Sequence, residues 1–222
     1  PLGKDKQSYR VYNRASLDAD DPFNCFTSSL SQELKTGALY KDINDGKLRT
    51  YRLALAATGE YSQFHIDLQG ANGGTDAQKK AVVLASMTTA LTRINAVYEN
   101  DLAIRLELVG DNDELIFLDP DTDGYTNDDG LAMLDENQSK CDNVIGNANY
   151  DIGHVFSTGG GGVAYLGVIC QSGFKARGVT GLFSPIGDPF YIDYVAHEMG
   201  HQYGGNHSFN GSSGSCSGGN RN

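Results

Sequence analysis

From Leu48 onward apolar and polar positions alternate: Tyr51, Leu53 and Leu55 are set against Arg52 and Ala54, the two-residue period of a half-buried strand. A second alternation, Leu102, Ile104, Leu106 and Leu108 against Ala103, Arg105 and Glu107, predicts another strand, and Leu115 to Leu118 a short third. Between the first two the period changes. Leu84, Met87, Leu91, Ile94 and Tyr98 recur at spacings of three and four, one apolar stripe along a long helix that should pack on a sheet. Its start is marked by Thr75-Asp76-Ala77-Gln78, a capping box in which Thr75 accepts from the third amide and Gln78 reaches back. A second helix is predicted from about Leu131 to Ile145. Ile152 to Phe156 and Val163 to Ile169 then read as two strands joined by a tight bend at Gly159–Gly162. Strands alternating with long helices predict an α/β domain in layers.

The Gly-rich bend has two readings. It is a flexible turn, or it is the approach to an edge strand over Gly162, Val163, Ala164 and Tyr165 left open for an extended substrate, since glycines let a second backbone come close. Residues 1–46 differ from the rest in mixed charge, a serine-rich patch and only short apolar segments, with a helix allowed near Ser29 to Leu39. They are expected to be an N-terminal extension, a prosegment remnant or an arm, ahead of a catalytic domain over 47–222.

Near the end of the chain His197-Glu198-Met199-Gly200-His201 places two histidines four residues apart, on one helical face, with a glutamate beside them. Asp188-Pro189 is read as N-cap and first helical residue, and Ile192, Ala196, Met199 and Tyr203 as the face turned to the core. Gly204 ends the helix and lets the chain turn back, so that His207 can be a third ligand. Three imidazoles leave one position of a tetrahedral zinc open, the layout of a catalytic centre. A structural zinc would require a fourth protein ligand, and no cysteine or further histidine lies close by in sequence. Zinc would acidify water and polarise a carbonyl, and Glu198 would act as general base.

A chain of 222 residues with 39% hydrophobic content can bury a full core, which favours one main domain. The net charge of −11 argues against nucleic acid and anionic membrane surfaces as partners, and no apolar run is long enough to predict a membrane span. Polypeptides and small molecules remain, and the oligomeric state is not encoded in any motif. Four cysteines without a CxxC pair predict disulfides, Cys141 with Cys170 foremost, and hence a secreted or extracytoplasmic protein whose signal is not in this chain.

Asp119, Asp121, Asp123, Tyr125 and Asn127 follow the spacing of an EF-hand-like calcium loop, with Gly124 at the turn. Gly130 stands where such a loop has a bidentate glutamate, so an acidic turn without calcium is the competing reading. His65 and His154 lie in strand-like segments and are expected to be structural.

His197-Glu198-x-x-His201-x-x-Gly204-x-x-His207 resembles the signature of the metzincin zinc endopeptidases, and its setting resembles their bacterial reprolysin-like, adamalysin-related branch. The resemblance runs from about Leu48 to the C-terminus. It implies a mixed twisted sheet with a long backing helix and an active-site helix, zinc on His197, His201 and His207, Glu198 as base, and polypeptide substrates. Ser208-Phe209 stands where adamalysins place Asp, closer to a pappalysin-like ending. The methionines, Met87, Met133 and Met199, all precede His207, so the Met-turn of the clan is expected to lie beyond a truncation and this form to be weakly active or inactive. Metzincin prosegments sometimes place a thiolate on the zinc, but Cys25 has no such motif around it, and a disulfide is the expectation there. Two other functions compete: a non-catalytic calcium- or protein-binding module on a decayed protease fold, and a zinc hydrolase of non-peptide amides.

Overall fold

A computed structural model describes Cys25, Thr27 and residues 45–207. The helix expected near 29–39, Cys216 and Ser208-Phe209 lie outside the described residues. Five strands form one mixed sheet: β1 (Arg49–Ala57), β2 (Ile104–Leu108), β3 (Ile152–Ser157), β4 (Gly161–Ala164) and β5 (Gly178–Gly181), in the order β2-β1-β3-β5-β4. All neighbours are parallel except β4, which runs antiparallel to β5 and forms an edge. The α/β layering predicted from the alternating periods is the architecture found.

β1 shows why periodicity is a partial guide. Its first half alternates between half-buried and exposed, but Leu53–Ala57 is buried on both faces. Leu53, Leu55 and Ala57 meet Ile94, Phe156 and Met199 on one side, whereas Ala54 and Ala56 meet Met133, Val155 and Val179 on the other. Two cores thus share one sheet.

Helix α1 (Gly59–Leu68) follows β1 without a strong sequence signal; Thr58 caps it by accepting from the Tyr61 amide. Helix α2 (Asp76–Leu102) starts with the predicted capping box and buries Val83, Met87, Ala90, Leu91, Ile94 and Tyr98. Its length and hydropathy would allow a membrane span, but this buried stripe makes it the backing helix of the sheet. Helix α3 (Gly130–Cys141) covers the other face, and a π-turn over Asp142–Gly146 replaces the predicted last turn.

Three strand expectations change. Residues 115–118 form no strand, because past Leu108 the free edge of β1 is satisfied otherwise. Asn112 accepts from the Leu55 amide (2.8 Å) and donates to the Leu55 carbonyl (2.9 Å), so one side chain replaces a strand residue. The segment 163–169 shortens to β4, and Gly167 and Val168 instead donate to the carbonyls of His201 and Gln202. Finally, β3 and β4 are not joined as a hairpin; β5, short and glycine-rich, lies between them.

The predicted disulfide is absent: Cys25, Cys141 and Cys170 are free thiols. Cys141 is buried against Asn137 in the core beneath α3, whereas Cys170 is exposed, so the preferred pair does not meet.

Candidate metal centre

The helix that carries His197 and His201 has two parts. Pro189–Ala196 is π-helical and His197–Gln202, here α4, is α-helical. Asp188 does not cap it; its carboxylate pairs with Arg93 of α2 (2.9 Å). The wider π-turn also shifts the buried face: Phe190, Tyr194, Val195 and Met199 enter the core, and Ile192 does not. Tyr98 of α2 donates to the Ala196 carbonyl at the junction (2.6 Å).

Gln202, which sequence reasoning overlooked, fixes the far end. It is fully buried, donates to the carbonyls of Gly153 (2.8 Å) and Lys175 (3.3 Å), and accepts from His154 Nδ1 (2.8 Å). His154 Nε2 accepts from the Thr180 hydroxyl (2.8 Å). Burial lowers the His154 pKa to about 4, so it is neutral and structural, as expected. Gly178 leaves room for this pair, since a Cβ there would overlap both side chains. His65, buried against Tyr61, is likewise held down to about 4 by burial.

Gly204 (φ +99°) occupies the left-handed region and turns the chain after α4. His207 thereby returns to the helix. The Nε2 atoms of His197 and His201 are 3.0 Å apart, those of His197 and His207 3.0 Å, and those of His201 and His207 3.1 Å. His201 Nδ1 donates to the Gly205 carbonyl (2.6 Å), which leaves its Nε2 lone pair facing the cluster. Burial lowers the pKa of His201 to about 4 and also lowers that of His207, shifts that favour the neutral imidazole a metal requires. Bond lengths of about 2.0–2.1 Å let one zinc ion touch nitrogens this close together, so the residues fit the metal.

Cys25, remote in sequence, completes the group. Its Sγ is 3.4 Å from His201 Nε2, and the ligand atoms of Cys25, His197, His201 and His207 all lie within 4.8 Å of one another. Burial, then the Glu198 carboxylate, push the thiol up to about 12; a cation in the cluster would favour the thiolate instead. Cys25 also forms a parallel β-bridge with Gly162 of β4. The disulfide expected of it is therefore replaced by a position among the histidines, a contact that no local motif announced.

Glu198 is fully buried beside the cluster, and its Oε1 has no hydrogen-bond partner. Burial raises its pKa to about 7, while hydrogen bonds from Cys25 and Thr27 act in the opposite direction. It packs against Gly162, where a Cβ would overlap the carboxylate. Val163 points the other way, into the core under α3, and Ala164 donates its amide to the Thr27 hydroxyl (3.1 Å). Tyr165 leaves the strand and stacks on Phe174. Of the predicted substrate edge, Gly162 and Ala164 thus face the metal cluster or the segment lying over it.

The Asp119 loop does not converge in this way. Asp119 accepts from the Asp121 amide (3.1 Å) and the Thr122 hydroxyl (2.8 Å), and Asp123 from the amides of Gly59 (2.6 Å) and Tyr125 (2.8 Å). Asn127 accepts from the Thr158 amide (3.2 Å), and the Tyr125 hydroxyl donates to Asn137 (2.9 Å). These bonds tie the loop to α1, β3 and α3. Among the described residues, the cysteine-histidine group is the cluster whose ligand atoms come together.

Comparison with known proteins agrees with this geometry. No curated protein matches the chain. The model of the reprolysin-like metallopeptidases of family M12B matches residues 84–208, more than half of the sequence, including most of α2, the edge strand and all three histidines. The chain belongs to the reprolysin-like M12B metallopeptidases.

Proposed function

We propose that the protein is a zinc endopeptidase in which His197, His201 and His207 hold the metal and Glu198 is the general base. The observation that carries this reading is the convergence of three imidazole nitrogens within 3.1 Å of one another beside a buried carboxylate. A zinc ion held there supplies Lewis acidity, which acidifies water and polarises a carbonyl. Glu198, with a pKa near 7, can take a proton from the attacking water and return it to the leaving amine. The edge position of β4 suits an extended polypeptide, which can add to it as a strand.

Cys25 marks the described arrangement as a latent one. With zinc bound, its sulfur would compete with water and the scissile carbonyl for the metal, and its bridge to Gly162 engages the edge strand. Cys25 is not part of α4, so its side chain can leave the cluster without dismantling that helix. Glu198→Gln keeps the shape of the side chain and removes the base. It should retain one bound zinc and lose about 10² to 10⁴ of the peptide-hydrolysis rate of activated protein. Normal hydrolysis of an unfolded protein by this variant would reject the assignment.

A further inference from the structure

Two residues after Cys25, Thr27 makes contacts of its own. It is 5% exposed, and its hydroxyl lies between two groups that a substrate has to reach. It donates to Glu198 Oε2 (3.2 Å) and accepts from the Ala164 amide (3.1 Å). The first contact engages the base. The second takes a hydrogen-bond donor of β4, the strand along which an extended peptide would pair.

We propose that Thr27 is a second lock, separate from the thiol, which holds the base and the β4 edge closed after Cys25 has left the metal. The inference rests on the peptidase reading above. Its chemistry is specific to a hydroxyl, which alone among side chains of this size donates and accepts from one atom. Serine retains both contacts. Valine has the shape of threonine and neither contact, so it would leave the Ala164 amide and a Glu198 oxygen without their partners. The two residues both reach Glu198 but differ elsewhere: Cys25 lies against the histidine nitrogens, and Thr27 takes the Ala164 amide. Freeing the thiol should therefore open the metal but only part of the site.

The test uses the full zinc-loaded chain as wild type, Thr27→Val, Thr27→Ser, Cys25→Ser and the double variant Cys25→Ser/Thr27→Val. Hydrogen exchange at the Ala164 amide is measured together with cleavage of an unfolded protein. Exchange is expected to be about tenfold faster in Thr27→Val, close to wild type in Thr27→Ser, and still slow in Cys25→Ser, with the double variant cleaving about tenfold faster than Cys25→Ser. Unchanged Ala164 exchange in Thr27→Val, or equal cleavage by Cys25→Ser and the double variant, would overturn the second lock. If no variant cleaves, the peptidase reading fails, and exchange alone still decides whether Thr27 closes the edge.

Discussion

Gly162 and the Glu198 carboxylate are packed so closely that no side chain fits at residue 162: a Cβ built there would overlap Oε1, Cγ and Cδ of the glutamate. The edge strand and the base therefore share one volume. Glu198 is held by backbone on this side and reached by the Cys25 segment on the other.

Gly162→Ala should thus displace Glu198 while leaving the three histidines in place. Peptide hydrolysis by activated protein is expected to fall by about 10² or more, the scale of losing a general base. Zinc content should remain at one per chain, and stability should drop by about 1–3 kcal/mol from overpacking. Metal analysis, a peptidase assay and denaturant unfolding separate these effects; unchanged turnover would show that the strand yields and the base keeps its place.

Asn112 provides a test of the fold away from the metal. Its amide serves both backbone groups of Leu55 and is 97% shielded from solvent, being 3% exposed. Asn112→Leu keeps the bulk and strands a buried N–H and C=O. At about 1–3 kcal/mol per orphaned group, a loss of about 2–5 kcal/mol in urea unfolding is expected. A loss under 1 kcal/mol would mean that water or a neighbour replaces the side chain.

The buried histidines set the response to acid. In the metal-free protein His65, His154 and His201 have pKa values lowered to about 4 by burial, against about 6.5 when unfolded. Below 6.5 the unfolded chain binds protons that the folded chain refuses, so stability is full above that pH and declines toward pH 4. Each such group contributes up to about 1.4 kcal/mol per pH unit in this window. His154→Gln should remove one share of the slope. Chemical unfolding between pH 7.5 and 4.5 measures it, and parallel profiles for variant and wild type would place the titration elsewhere.

These predictions draw on parts of the molecule that differ in how plainly the sequence announces them. The α2 capping box, the alternation in β1 and β2, and the spacing of His197, His201 and His207 are local signals: each depends on residues within one or two turns. Gln202, Asn112, Thr27 and Cys25 carry no such signal. Each acts through partners 27 or more residues away, and an amide, a hydroxyl or a thiol looks the same in sequence whether it faces water or a buried carbonyl. β5 was missed for a different reason. Gly178-Val179-Thr180-Gly181 has only two strand formers between glycines, too short a run to signal a strand, and its glycines let Gln202, His154 and the Gly159 loop pack against it. The disulfide expectation fails for a related reason: cysteines alike in sequence are placed apart by the fold, Cys141 in the core and Cys170 at the surface.

The π-helical run Pro189–Ala196 acts as a phase adjuster between an anchored segment and a chemical one. An α-helix turns about 100° per residue, so the number of residues wound into that run decides which way His197 and His201 look when α4 begins. With the upstream end held by Asp188 on Arg93 and the downstream end by Gln202 on β3, the helix cannot rotate to absorb an error. Removing one residue from the run would keep the three histidines together and turn the whole group away from Cys25 and β4.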